Sequence, residues 1–407
     1  MSKSLKIAVL SISVTVVLFA IWGGLGAKAS TNDGAYRQLG VYSEVLSRVR
    51  SEYVEDPDIP KVTDGALHGL LESLDANSSY LNPAQFKEYK EHKTDGKGTI
   101  GAAISKRYGY AAVISTIPGG PADKAGVETG DIIEAIEGRS TREMSLAEVS
   151  TLLSGQPGSN VNIAVVRTRK VEPQKITITR TIVTVPPVSD KMMEGGIGYI
   201  KVSALTKGKA QEIAARVKEL EKSGANKLIL DLRNVAMGEQ EEGIATANLF
   251  LNHGIITYLQ GQKHARETFN ADPTKAITNL PTLPLAVLVN RGTAGPAEIV
   301  AAAVLENARG DVIGDKTFGV GSVQNLINLP DGSALILSVA KYYSPNGKAI
   351  QDTAVTPNVL VADQDDDSVL PDDTEPEPNP SEPRKPGKDD DQLHRAIELL
   401  KTKQVKA

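Results

Sequence analysis

The stretch from Leu285 to Gln324 constrains the fold of this chain more than any other. It opens on the apolar run Leu285–Val289, which has the length and composition of a buried strand. The turn Asn290-Arg291-Gly292-Thr293-Ala294-Gly295 follows. Pro296 then stands at a first helical position, with Glu298 in the first turn and an Ala/Val-rich helix running to about Asn307. A second strand and the glycine-flanked turn Gly319-Val320-Gly321 bring the stretch to Gln324. A strand that turns directly into a helix presents backbone N–H groups at the helix N-terminus, where a nucleophile and a developing oxyanion would be placed.

The rest of the chain supplies what surrounds such a turn. Its 407 residues, 40% of them hydrophobic, suffice for two or three domains with cores of their own. A net charge of −5 and the lack of any basic stripe argue against a nucleic-acid partner. With no cysteine there is no disulfide or thiolate site, and the five histidines are scattered without ligand spacing, so neither a metal nor a cofactor is expected. Lys3 and Lys6 precede the apolar run Ile7–Trp22 and then Ala27-Lys28-Ala29, a pattern for export with cleavage after Ala29. Uncleaved, the same segment (1–29) is long enough to anchor the chain in the inner membrane. Either way the expected location is periplasmic, soluble or anchored.

Residues 34–95 read as a helical N-terminal region. Tyr36, Leu39, Tyr42, Leu46 and Val49 recur at helical steps, Asp56-Pro57-Asp58-Ile59-Pro60 interrupts, and Val62–Leu74 resumes the pattern until Leu74-Asp75-Ala76-Asn77-Ser78-Ser79-Tyr80-Leu81 closes it. Beyond Pro186-Pro187, the strands Ile197–Val202 and Lys227–Arg233 alternate with the helix Lys209–Ser223, an α/β pattern. Residues 362–391 are acidic and Pro-rich and read as a disordered linker. A short amphipathic helix follows at 392–407, able to dock on the body or on a partner.

Residues 96–184 resemble a PDZ domain, carried by the string P-A-x-x-A-G-x-x-x-G-D-I-I at Pro121–Ile133, with strands at Ala112–Ile114, about Thr129–Gly138 and, last, Val161–Arg167, and a helix Met144–Leu153. Such a domain captures peptides by strand addition, with a backbone loop holding the terminal carboxylate. The resemblance puts that loop at Gly98–Ala102 and the groove at Ile100, Gly101, Ala102 and, from the helix, Val149.

The stretch 285–324 resembles the core of the C-terminal processing peptidases, or tail-specific proteases, whose pattern is N-x-G-S/T-A-S-A-S-E-I and then T-F-G-K-G-S-V-Q. Asn290, Gly292, Thr293, Ala294, Glu298, Ile299, Thr317, Phe318, Gly319, Gly321, Ser322, Val323 and Gln324 match it. The family's nucleophilic serine falls on Gly295 and its general-base lysine on Val320, while Gln324, which orients that lysine, is retained. Asp231-Leu232-Arg233-Asn234 matches D-L-R-N, but the glycine-rich oxyanion turn that should follow is replaced by Val235-Ala236-Met237-Gly238, where the Cβ of Met237 would restrict positive φ. The resemblance, spanning roughly 34–361, implies an α/β fold with a PDZ domain: a helical N-terminal region, a mixed β PDZ domain with two helices, and an α/β crotonase-like peptidase core at 185–361. It implies a serine-type endopeptidase whose catalytic pair is missing, hence a pseudopeptidase that binds protein C-termini or scaffolds partners, among them an active family member or a second copy. The alternative is an endopeptidase using other residues, with Thr293, Ser322, Lys316 and Lys341 as the nearby hydroxyls and amines.

Overall fold

A computed structural model describes residues 33–92, 96–167, 170–277, 283–362 and 390–402. The expected export segment and nearly all of the acidic linker lie outside these residues. The chain divides into two compact units, Met1–Ala66 and Leu67–Ala407. In the first, helix α1 (Asp33–Glu52) leaves Leu39, Val41 and Val45 exposed. Helix α2 (Ile59–Glu72) carries the chain into the second unit. Among the described residues no helix is long and apolar enough to cross a membrane.

The stretch 34–95 is not wholly helical. Ser79–Leu81 is a buried strand, β1, ahead of helix α3 (Pro83–His92). The turn before it is held by Asp75, whose carboxylate accepts the N–H groups of Asn77 and Ser78 and the hydroxyl of Ser338. A segment that reads as a helix end is therefore a docking turn.

The PDZ sheet comprises β2 (Ala102–Arg107), β3 (Tyr110–Thr116), β4 (Ile132–Ile136), β5 (Arg139–Ser140), β6 (Asn160–Arg167) and β7 (Lys170–Thr179), in the order β2-β3-β4-β6-β7 with β5 on β4. Helices α4 (Pro121–Lys124) and α5 (Leu146–Leu153) complete it. Ser145 and Glu148 cap α5 reciprocally, so the helix starts at Leu146 and Met144 is outside it. Strand β6 is not the last: β7 pairs with it along most of its length. Its alternation of charged and apolar residues is that of an edge strand with one face in water.

The second sheet is mostly parallel. In chain order its members are β8 (Ser189–Met193), β9 (Ile197–Lys201), β10 (Lys227–Asp231), β13 (Leu285–Val289), β14 (Asp311–Gly314) and β17 (Val359–Leu360), arranged β17-β14-β13-β10-β9-β8 with only β8 antiparallel. Both faces are covered, which is why β13 is apolar throughout and β10 is apolar between Lys227 and Asp231 at its ends. Ile200, Leu228, Leu230, Val287 and Val289 face helices α6 (Lys209–Lys222), α7 (Gln240–Phe250) and α8 (Pro296–Glu306). Alternate residues Tyr199, Ile229, Ala286 and Leu288 face helix α9 (Asp391–Thr402), which buries Ala396 and Leu400 completely. The C-terminal helix thus docks on the body of its own chain. An antiparallel sheet of β1, β11 (Ile255–Gln260), β12 (Glu267–Asn270), β15 (Ser322–Asn328) and β16 (Ala334–Tyr343) completes the unit, and Gln324 lies within β15.

Candidate active site

The turn between β13 and α8 is fixed by side chains that bond back to it. Asn290 Oδ1 accepts the N–H groups of Asn234 and Gly292 at 3.0 and 3.1 Å, and its Nδ2 donates to Asn234 Oδ1 at 3.0 Å. The fully buried Thr293 donates its hydroxyl to the carbonyl of Leu232 at 2.9 Å and accepts the N–H of Asn290 at 3.0 Å. Its oxygen is committed to the turn. Gly292 sits so close to Asn234 that a Cβ there would meet Asn234 Oδ1 at 2.3 Å.

Gly295 ends this turn at φ 59°, ψ −118°. That is the first central position of a type II′ turn, a conformation dominated by glycine. A Cβ at Gly295 would nonetheless find room: its nearest neighbours would be Gln240 Nε2 at 3.6 Å and the Ala236 carbonyl oxygen at 3.9 Å, both ordinary contacts. The local backbone is strained for any L residue, while the space is that of a small side chain. The next residue is Pro296, which has no N–H.

Glu298, in the first turn of α8, is fully buried and joins the two halves of the motif. Its Oε2 accepts the N–H groups of Gly295 at 3.0 Å and Val320 at 2.8 Å. Its Oε1 accepts the N–H of Gly319 at 2.8 Å and the hydroxyl of Thr317. Burial pushes its carboxyl up to about 7, against the opposing pull of Thr317 and the three backbone donors. Phe318 adds a bond from its N–H to the carbonyl of Thr293 at 2.9 Å, so the 317–320 loop is laced to the 290–295 turn. Val320, half-buried, stands in that loop.

The other sequence-expected residues fall as follows. Gln324 is exposed and donates to Ser322 Oγ at 2.8 Å, and Ser322 also accepts from Asn77 at 3.0 Å. Lys341 pairs with Asp352 at 3.6 Å, and Lys316 is exposed. In the turn after β10, positive φ falls on Asn234 (61°) and Gly238 (140°), not on Met237, so the strain expected from the Met237 Cβ is not there. Gly238 is required for a different reason: a Cβ would meet the Leu205 carbonyl oxygen at 2.2 Å. Met237 accepts the N–H of Leu205 at 2.8 Å, and Val235 that of Ala294 at 2.9 Å. The side chain that reaches Gly295 is Gln240, which the sequence reading missed. Its only signal there was a polar residue one turn ahead of Gly243, where α7 and α8 approach closely enough for a Cβ to meet the Pro296 carbonyl oxygen at 2.4 Å.

In the PDZ domain, Ile100 and Val149 are 2% and 0% exposed and belong to the core rather than to an open wall. Gly101 has φ 71°, and its N–H is donated to Thr99 Oγ1 at 3.1 Å. Ala102 is half-buried on the edge strand β2, and with Ile104 and Leu152 it forms the accessible apolar strip between β2 and α5. Ile104 follows Ala102 at strand period, and Leu152 follows Val149 at helical period, so both were readable from spacing.

The chain is similar to known proteins. The peptidase family S41 pattern matches residues 196–361, and the PDZ domain pattern matches 113–167. The carboxy-terminal-processing protease of Bartonella bacilliformis is 33% identical over 336 residues, covering 82% of this chain and 77% of that protein. The carboxy-terminal processing protease CtpA of Bacillus subtilis is 33% identical over 355 residues, covering 86% and 74%. Among solved structures, the photosystem II D1 C-terminal processing protease superposes with a TM-score of 0.65 at 27% identity, over 79% of this chain and 92% of that one. The chain therefore belongs to peptidase family S41, among its PDZ-containing C-terminal processing proteases.

Proposed function

We propose that this member of the family has lost peptide cleavage and acts in the periplasm, as a soluble or membrane-anchored protein, by holding polypeptide C-termini in its PDZ domain (96–184) against a non-cleaving core (185–361). The observation that carries this reading is the pair Gly295-Pro296 at the mouth of α8. A serine–lysine mechanism needs a hydroxyl to attack and a neutral amine to take its proton. By the motif resemblance these positions hold Gly295 and Val320. An acyl intermediate also needs backbone donors aimed at its oxyanion, commonly the N–H of the residue after the nucleophile. Here that residue is proline, and the N–H of Gly295 is already given to Glu298.

Two of the neighbouring groups are engaged elsewhere. Thr293 spends its hydroxyl on the Leu232 carbonyl, and Lys341 is paired with Asp352. Loss of members of such a unit costs several orders of magnitude in rate. The test is incubation of the purified protein with an unstructured polypeptide carrying an apolar C-terminus, with fragments followed by mass spectrometry. No specific fragments are expected. Cleavage abolished by Thr293→Ala or Ser322→Ala would overturn the reading.

A further inference from the structure

The PDZ sheet ends in β2 on one side and β7 on the other. Hydrogen bonding fixes which way the main chain of β7 points. Asn162 on β6 accepts the N–H of Glu137 on its carbonyl at 2.9 Å and donates its own N–H to the Glu137 carboxylate at 2.8 Å. Both groups face away from β7, so its register partner Thr177 turns its N–H and C=O outward. Thr179, opposite Asn160, does the same, and between them and the strand end Arg180 turns inward, donating its N–H to the Ser159 carbonyl at 2.8 Å. The outward groups of Thr181 are taken by Thr99, at 2.8 and 3.1 Å. Those of Thr177 and Thr179 face no strand among the described residues.

A cleft of about 530 Å³ lies along this open edge. Thr177, Thr179 and Thr181 line it from β7, and Gly119, Gly120 and Lys124 from α4 and the turn before it. Ile182, 64% exposed, also lines it. Lys124 is the charged residue of the lining, and no acid balances it there. Edge strands are ordinarily blunted by charge or proline. Here Pro173 and Lys175 blunt the first half of β7, and Thr177–Thr181 carries one charge, on the inward Arg180. An open edge beside a helix is the geometry of strand addition, in which the occupant supplies main-chain N–H and C=O groups of its own. We propose that the cleft between β7 and α4 takes a short extended segment of another polypeptide as an added strand, with an acidic side chain set against Lys124 and an apolar one against Ile182. The site is on the edge opposite β2 and needs no free C-terminus. It is therefore separate from the groove proposed for polypeptide ends, and it stands whether or not the core cleaves.

The probe is a peptide of about seven residues, alternating valine and glutamate, enough to span the roughly 13 Å from Thr177 to Thr181. It is labelled at its N-terminus and amidated at its C-terminus, and is titrated by fluorescence anisotropy against the full chain. Thr177→Pro removes an outward N–H without removing a ladder bond, so the sheet is kept. It is expected to weaken binding about tenfold or more. Lys124→Glu, on the surface, is expected to weaken this probe and to favour one with lysine in place of glutamate. Excess unlabelled tail peptide with a free, apolar C-terminus is expected not to displace the probe. No binding by the unaltered protein, binding indifferent to both variants, or displacement by the tail peptide would overturn the proposal. So would a dimer in analytical ultracentrifugation that Thr177→Pro abolishes, since the occupant would then be a second copy.

Discussion

Gly295 and Val320 donate their backbone N–H groups to the same oxygen of Glu298, at 3.0 and 2.8 Å. The turn that ends at Gly295 and the loop that holds Val320 are thus fastened through one buried carboxylate, and the N–H groups that do so belong to the main chain. It asks nothing of the side chains at 295 and 320 beyond a backbone N–H at each. It also makes Glu298 a titrating element. Burial raises its carboxyl from an ordinary 4.5 to about 7 in the folded protein. A raised folded value means the native state binds the proton more tightly than the unfolded chain does. The contribution is fully present below about pH 4.5 and is lost as pH rises through 7. Stability should therefore fall from pH 5 to pH 8, by up to roughly 3 kcal/mol from this group. Denaturant melts at pH 5, 6, 7 and 8 should show that decline, and Glu298→Gln should flatten it. An identical slope in the variant would show that other groups set it.

The conformation at Gly295 makes a second prediction. At φ 59° a serine is strained, and such positions cost on the order of 1–3 kcal/mol. Gly295→Ser should lower stability by that amount while leaving the fold intact, since the Cβ meets nothing closer than 3.6 Å. Gly295→Ser with Val320→Lys should remain nearly inactive, because Pro296 offers no N–H to an oxyanion. Adding Pro296→Ala should raise the rate over the double variant by about 10²–10³, the usual value of one oxyanion donor. A peptidase assay on the three proteins decides it. Full activity in the double variant would show that the missing donor at 296 is irrelevant.

Much of this site was legible before any coordinates. Leu285–Val289, Pro296 and Glu298 announce a buried strand, a helix start and a first-turn acid, and all three stand where spacing put them. What spacing could not give was the partner of each polar group. Glu298 read as an acid in the first helical turn, yet three of its four donors lie outside its own helix and the fourth, Gly295, at its edge. Ser79–Leu81 read as the close of a helical region because a three-residue strand has too little periodicity of its own; its pairing with Ala334–Ile336 supplies the order. Met237 drew attention as the departure from glycine, whereas the positive φ sits on Asn234 and Gly238, a backbone fact that residue type alone does not settle. Gln240 was silent for the same reason: its nearness to Gly295 follows from the close approach of α7 and α8.

Arg233 links the D-L-R-N turn to the C-terminal helix. Its guanidinium bonds the fully buried Asp231 at 2.6 and 2.9 Å and Asp390 at 2.8 Å on both oxygens. Arg233→Ala would leave Asp231 buried with Tyr199 as its remaining side-chain partner, a change worth about 3–5 kcal/mol. Asp390→Ala should cost about 1 kcal/mol or less, since Asp390 is 39% exposed and solvent screens the pair. Leu400→Ala, in the interface of α9 with the sheet, should cost about 2–5 kcal/mol. Urea denaturation of the three variants tests the ranking, and an Asp390 effect equal to that of Arg233 would show that the helix, not the buried aspartate, dominates.

The PDZ strip gives the last prediction. Ala102 and Ile104 on the edge strand β2 and Leu152 on α5 are half-buried at the margin of one core, and β2 pairs with β3 alone among the described strands. Small side chains at 102 and 103 leave room for a bulky terminal residue on the incoming peptide. A tail peptide with a free, apolar C-terminus should bind the full chain with a dissociation constant on the order of micromolar, because a short strand addition buries little area against its ordering cost. Amidation of the terminus should weaken it, since the Gly98–Ala102 loop has backbone and not side-chain charge to offer. Leu152→Lys should abolish binding, as it puts an ammonium on the apolar wall, whereas Val149→Ala should act mainly on stability because Val149 is a core residue with no exposed surface. Calorimetric titration of free and amidated peptides against these variants separates the two residues. Equal binding of both peptides, or insensitivity to Leu152→Lys, would remove carboxylate capture from this face.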